Sequence, residues 1–368
     1  MRSVTIRDVV LRLHRWGGLS LGLIVSVICF SGAALLIVAP AQERRAEESA
    51  RITPGAGLRA SPSEMIAAAR RALPGRELGS AAFYSDGSHA AVMSFRDGSR
   101  VFVNPWTGRT FGAEEDATES SLVQRLHESL LLPGAFGKLV GLVTVGFVVL
   151  LLLGVCLWWP RKGSIKKALG VEVRRGWKRA NYDLHNALGF YAAALLLVLG
   201  GTGIFLAYPR LGSFAARVGG SVFGNDARAG GGQVPTAPEV ATDLPRVDRA
   251  LAYAQRMFPE AVWVRMLQAP GRRPGLQLRV AADPSGNAAR YHTLRVDAAG
   301  DIQSLTRFGE ERLAVRMRRL VGQLHRGTGM GTFYRVSAFL ACMIGGLLPF
   351  SGSLIWFPRW RRRRRRAG

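Results

Sequence analysis

Four apolar stretches, Gly17–Ala39, Leu139–Trp159, Ala187–Tyr208 and Val336–Phe357, decide what this chain can fold into. A helix of ~20 apolar residues crosses the ~30 Å hydrocarbon core of a bilayer, and each stretch reaches that length. Inside lipid every backbone N–H and C=O has to be satisfied within its own segment, so the stretches are expected to be transmembrane helices. A repeating arrangement of histidines accompanies them. His127 and His325 each stand 33 residues before the proline of a Trp-x-Pro-Arg end, Pro160 or Pro358, and 27 before a glycine, Gly154 or Gly352. His14 and His185 each stand 17 residues before a hydroxyl–glycine pair, Ser31-Gly32 or Thr202-Gly203. The chain therefore reads as two related halves, each an apolar helix, a polar region and a second apolar helix. Four of the six histidines stand at the head of an apolar segment.

The formal net charge of +25 over 368 residues would suit nucleic acid, an anionic membrane surface or acidic ligands. The spans decide for membrane lipid, and no nucleic acid is needed. The basic residues gather beside the spans: Arg2, Arg7, Arg12 and Arg15 before the first, Arg161 to Arg179 after the second, Arg361–Arg366 after the fourth. The positive-inside rule puts these on the cytoplasmic side. The expectation is a multi-pass protein of a bacterial inner membrane with both termini cytoplasmic. A secretory signal competes for the first span, because Val38-Ala39-Pro40-Ala41 loosely resembles a cleavage site. The length of the run and the recurrence of its histidine favour a retained anchor. The expected divisions are 1–40 (tail and first span), 41–122 (first polar module), 123–160 (second span), 161–184 (basic connector), 185–208 (third span), 209–320 (second polar module), 321–358 (fourth span) and 359–368 (polyarginine tail).

The two polar regions read as small α+β modules on the outer side. In the first, Ser61-Pro62-Ser63-Glu64 signals a helix start. Ala81–Phe83, Ala90–Phe95 and Arg100–Val103 then form strands between Asp-Gly turns, and Asn104–Gly108 closes the unit. The second follows a Gly230–Gly232 link, with a helix over Leu244–Phe258 and strands at Trp263–Leu267, Leu276–Ala281 and Tyr291–Val296.

This topology puts His14 and His185 on one side and His127 and His325 on the other. Two same-side pairs are what two bis-histidine metal sites require, and imidazole is a standard axial ligand of haem iron. Ser31-Gly32 and Thr202-Gly203, ~26 Å along their helices, reach the level of His127 and His325, and Gly154 and Gly352 reach that of His14 and His185. Each pair would thus meet small residues from the other helices. A straight helix from His127 to Gly154 would be ~40 Å long, more than the core, so a break is expected at Pro133-Gly134 and at Gly327, Gly329 and Gly331. The competing reading is a duplicated helix boundary with small residues used for packing. Arg12, Arg15, Arg125, Arg326 and Lys138 are candidate partners for haem propionates, while His89 and His292 read as surface residues and Glu128 as a solvated helix-start carboxylate. The three cysteines lie in the spans, without Cys-x-x-Cys spacing. No dinucleotide fingerprint or P-loop is present. The connector of about 24 residues is too short for a flavin or nicotinamide domain, so a redox role implies a separate donor, a quinone or a cytoplasmic reductase.

Leu13-His14-Arg15-Trp16, Ser31-Gly32, Thr202-Gly203, Leu126-His127-Glu128, the Trp-x-Pro-Arg ends and Val103–Gly108 together resemble the PepSY-associated transmembrane family, which includes iron-regulated membrane proteins and ferric-siderophore reductases. The resemblance implies a membrane α-helical fold, a four-helix transmembrane bundle built from two repeated halves with two PepSY-like extracytoplasmic modules. It implies noncovalent haem b, two per chain, on His14, His185, His127 and His325, and electron delivery to a ferric siderophore or other ferric chelate. Asp297-Ala298-Ala299-Gly300 stands where the first module has its Pro-aromatic-Thr-Gly turn, so the two modules are not expected to be equivalent. A reading from another class stays open: a membrane-anchored protein whose modules bind peptides, peptidases or envelope partners without redox chemistry.

Overall fold

The computed structural model describes residues 4–114, 118–133, 137–159, 165, 169–208, 211, 245–268, 275–285, 287, 290–311 and 313–364. Gly134, most of 160–168 and the Gly230–Gly232 link lie outside these residues, as does the very end of the arginine tail. The chain divides into two compact units, one of Met1–Ala39, Glu119–Phe214 and Leu320–Gly368, the other of Pro40–Thr118 and Ala215–Arg319.

The first unit is helical and contains four helices long and apolar enough to cross a membrane. These are α1 (Ile6–Ser49), α4 (Gly137–Trp158), α5 (Trp177–Ala207) and the apolar part of α8 (Gly331–Arg364), with α2 (Pro62–Ala72), α3 (Thr118–Ser129), α6 (Arg246–Met257) and α7 (Leu313–Arg326) between them in chain order. Close helix contact is bought by small residues, as expected where lipid competes equally for apolar side chains. A Cβ on Gly22 of α1 would lie 2.8 Å from Cβ of Pro349 on α8. Nearby, the buried hydroxyl of Ser26 lies 2.8 Å from the carbonyl of Gly346, joining the same two helices. Val25, Cys29 and Val143 pack α1 on α4, while Leu151, Ala192, Leu196 and Ala341 join α4, α5 and α8. All three cysteines are unpaired.

His14 and His185 fall inside continuous helices, since α1 begins eight residues before the first and α5 eight before the second. His127 and His325 sit on α3 and α7, which are separate from the spans α4 and α8, so a break does divide each histidine from its span. No 40 Å helix is therefore required. The first break opens at Leu130, where α3 has ended and Leu130 and Leu131 adopt left-handed φ values of 56° and 62°, and Pro133 lies within it before α4 begins at Gly137. Side chains seldom enter that region, which is why leucine gives no sequence signal there. The second break falls on Gly327, Gly329 and Gly331, all at positive φ, as their lack of a Cβ allows.

The second unit holds one antiparallel sheet of eight strands in the order β4-β3-β2-β1-β5-β6-β7-β8. They are Leu78–Tyr84, Ala91–Phe95, Arg100–Val103 and Thr110–Glu114 (β1–β4), then Trp263–Gln268, Leu276–Ala281, Tyr291–Val296 and Ile302–Thr306 (β5–β8). The two expected modules are thus not separate: β1 and β5 pair from Ser80↔Leu267 to Tyr84↔Trp263 and fuse them. The fourth strand of each set, β4 and β8, was not foreseen, because the sequence reading closed the modules at the turns Asn104–Gly108 and Asp297–Gly300. Alternating burial in β2 and β6 turns Met93, Leu278 and Val280 towards α2 and α6, where they meet Met65, Ala69, Leu251 and Ala254. Truncating fully buried Met93 or Leu278 to alanine is expected to cost about 2–5 kcal/mol. Ser61 caps α2 in the expected capping box with Glu64. Asp248 of α6 then accepts both the N–H (2.7 Å) and the hydroxyl (2.5 Å) of Ser63, tying the two helices together.

Candidate functional site

The four histidines form two facing pairs within the helical unit. His14 and His185 stand with ring centroids 6.4 Å apart and planes at 78°. His127 and His325 stand 6.0 Å apart at 41°. The pairs lie at opposite levels of the bundle, because His127 rests on Gly32 of α1, 18 residues or ~27 Å along the helix from His14.

Each ring is seated on a glycine of another helix. A Cβ would lie 3.2 Å from Cε1 of His14 at Gly154, 3.3 Å from His185 at Gly352, 3.0 Å from His127 at Gly32 and 3.0 Å from His325 at Gly203. The crossed pattern of the sequence, in which each histidine meets the small residue of a different helix, is present in three dimensions. Any side chain at these positions would push on an imidazole.

Hydrogen bonds fix which ring nitrogen carries the proton. Nδ1 of His14 lies 3.0 Å from the carbonyl of Leu150, that of His127 2.9 Å from Ile28, and that of His325 3.0 Å from Leu199. A carbonyl oxygen only accepts, so these three Nδ1 atoms are N–H donors. Nδ1 of His185 lies 2.8 Å from the hydroxyl of Ser351, which itself donates to the Leu348 carbonyl and so accepts from the ring. Ser31 and Thr202 reach Nδ1 of His127 and His325 at 3.2 Å, and both hydroxyls donate back into their own helices. Every Nε2 therefore keeps its lone pair, the arrangement by which an outer partner orients a metal-binding histidine. Burial holds the His127 imidazole below its ordinary pKa, and burial together with neighbouring His127 pushes His325 down to about 4. Both shifts favour the neutral ring that ligation would need.

Two imidazoles on opposite sides of one metal, each bonded at about 2.0–2.1 Å, put their ring centroids about 6 Å apart. Both observed separations fit. Among the described residues no cluster of three or more His, Cys, Asp or Glu could hold a metal ion. Each pair could thus supply two imidazole nitrogens, a number that would suit a group bringing its remaining ligands with it.

A cavity of about 1080 Å³ opens beside His14 and His185, large for a cofactor site of ~300–1,000 Å³. Gly18, Gly22, Gly189 and Gly345 clear its walls, while Trp16 and Trp356 meet edge to face at 6.0 Å on its border. Arg12 and Arg15 line it, and Arg7, read from the sequence only as a basic flank residue, joins them while donating to the Leu157 carbonyl at 2.9 Å. Ser351 was missed as well. A serine within a span is by itself only a packing residue, and nothing marks it as the partner of His185. Arg326 lies against Gly322 of its own helix, and Glu128 stands in the last turn of α3, where it accepts from Gln124, rather than starting a helix.

The remaining histidines are not simple surface residues. His89 pairs with Asp86 at 2.6 Å and packs on Tyr84. His292 stacks on Phe258 with centroids 4.4 Å apart and accepts the Phe308 N–H through Nδ1.

The family model for the PepSY-associated TM region matches residues 11–359. No curated protein matches the chain. The match covers nearly the whole sequence, and the chain belongs to that family of membrane proteins.

Proposed function

We propose that this member of the PepSY-associated transmembrane family is a di-haem electron-transfer protein of the bacterial inner membrane, built from two repeated halves, that reduces ferric chelates such as ferric siderophores on the periplasmic side. The observation that carries the reading is the common state of the four histidines: Nδ1 spent on a carbonyl or hydroxyl, Nε2 free, and the rings paired at 6.4 and 6.0 Å.

His14 and His185 hold the haem b of one level, and His127 and His325 that of the other. When bound, a bis-histidine haem supplies one-electron transfer and leaves no coordination position open to oxygen or substrate. The protein residues orient and enclose. The Nδ1 partners lock each imidazole, the glycines let it approach a neighbouring helix, and Arg7, Arg12 and Arg15 offer donors to carboxylates at the cavity beside His14. Release of iron from a ferric chelate needs one electron and no protein nucleophile, so the lack of a hydrolytic or dinucleotide motif is consistent with this role. The donor is a separate quinone or reductase.

Orientation follows from the basic flanks, with both termini and the 161–184 connector cytoplasmic. A reporter active only in the periplasm is expected to work when fused after Gly230 and to fail after Gly170; the opposite signals would reverse the assignment of donor and acceptor sides. For the substrate, dithionite-reduced protein freed of excess reductant is expected to be reoxidised by a ferric siderophore, with ferrous iron captured by a ferrous-specific chelator. His127→Ala and His325→Ala are expected to abolish this step. A reduced protein that ignores a panel of ferric siderophores but reacts with another oxidant would retain the cytochrome role and remove the siderophore.

A further inference from the structure

The sheet-bearing unit holds a second cavity, of about 490 Å³, which the redox reading leaves unused. It lies where the two halves of the sheet meet, bordered by the start of β1, the end of β5, and helices α2 and α6. Ser63, Ile66, Ala67, Arg70 and Arg71 reach it together because spacings of three and four place them on one helical face.

The charge of this cavity is one-sided. Arg70, Arg71 and Arg246 line it, and among the described residues no acidic one does. Asp248, two residues from Arg246, is already bound by the N–H and hydroxyl of Ser63. Arg70 and Arg71 are exposed and form no ion pair among the described residues. The Nε of Arg246 is shut off from solvent and has no acceptor among the described residues. A buried donor without an acceptor costs about 1–3 kcal/mol, so an acceptor supplied by a ligand would remove a real penalty. Against this basic rim stand Ile66, Val247, Met266, Leu267 and Leu276, an apolar lining.

We infer that this cleft binds a compact organic polyanion, with carboxylates or phosphates on the three guanidiniums and an apolar body on the adjoining aliphatic surface. Guanidinium presents paired N–H donors that match the two oxygens of such groups, and the volume falls within the ~300–1,000 Å³ usual for small-molecule sites. The inference is independent of haem, because the cleft lies wholly within the sheet-bearing unit.

The test is calorimetric titration of the purified full-length protein in neutral detergent at 0.15 M salt, where loose surface attraction is screened. The probes are benzene-1,2,4-tricarboxylate, phenyl phosphate and citrate. Saturable binding of at least one aromatic probe, tighter than that of citrate, is expected, and the better of the two names the oxyanion. Arg246→Gln and the double replacement Arg70→Gln/Arg71→Gln are each expected to weaken it at least tenfold. Arg109→Gln, which removes an equal charge outside the cleft, is expected to leave it unchanged. Unfolding midpoints check each variant, and the exposed Arg70/Arg71 pair carries the test if Arg246→Gln disturbs the fold. Absence of saturable binding, or an equal loss in Arg109→Gln, would overturn the site; citrate binding as tightly as the aromatic probes would overturn the apolar half of the inference.

Discussion

The two histidine pairs do the same geometrical job by different means. His14 and His185 ride inside long spans, α1 and α5, so the helices themselves deliver both rings to a large cavity. His127 and His325 ride on α3 and α7, short helices that end within two residues of the ring and then turn back through left-handed residues. Their Nδ1 partners differ too. The second pair is matched on both sides, each ring with one carbonyl and one hydroxyl. In the first pair His14 is held by a carbonyl and His185 by the Ser351 hydroxyl. A site built into a span is as rigid as the bundle. A site carried on a short helix is only as well placed as its turn and its two anchoring bonds.

The strongest way to break this comparison is steric. Gly32→Leu and Gly203→Leu are expected to expel haem from the His127/His325 level almost completely, because a Cβ alone would stand 3.0 Å from the imidazole. Gly154→Ala and Gly352→Ala, at 3.2 and 3.3 Å, require shifts of a few tenths of an ångström and are expected to retain most of their haem. Pyridine-haemochrome content measures both. Equal, small losses at all four glycines would mean that the rings are not held where the close contacts place them.

Hydrogen bonding gives a smaller contrast. Ser351→Ala removes the hydroxyl that orients His185, whereas Ser31→Ala leaves His127 its bond to the Ile28 carbonyl. Loss of such an outer partner usually costs 10–100-fold in metal affinity, so Ser351→Ala is expected to raise the haem dissociation rate about tenfold and Ser31→Ala by much less. Haem transfer to apomyoglobin reads the rates. A larger effect at Ser31 would reverse the assignment of partners.

The smallest effect concerns the turn. Leu130→Gly relieves a left-handed leucine, worth about 1–2 kcal/mol of strain, but also loosens the unfolded chain by about 0.4–1 kcal/mol. A net gain of about 0–1.6 kcal/mol is expected, seen as a small rise in the unfolding midpoint. A pronounced fall would show that leucine packing, rather than backbone strain, dominates this turn.

The sequence made the membrane helices legible because an apolar run of span length has few other folds open to it. The four histidines and their four glycines were equally legible, through spacing repeated between the halves. The break after α3 was legible at Pro133, but its opening was not, since two leucines in left-handed conformation carry none of the glycine or proline signals that mark turns. The joined sheet was hidden for a different reason. Strand patterns such as Leu78–Tyr84 and Trp263–Gln268 report burial, whereas the pairing of β1 with β5 joins residues about 180 positions apart and leaves no local trace. Ser351 stayed unseen, and Arg7 was read only as a basic flank, because their places come from packing between helices, which single-segment periodicity does not record.

The central claim is that the four histidines are axial ligands in two independent pairs. Its most direct test is haem content with the low-spin spectrum of purified protein, wild type beside His14→Ala, His185→Ala, His127→Ala and His325→Ala. The account predicts close to two noncovalent haems per chain in the wild type and about one in every variant. It further predicts that His14→Ala and His185→Ala keep the same remaining spectrum, while His127→Ala and His325→Ala share a different one. A colourless wild type, or four variants with full haem content, would contradict it.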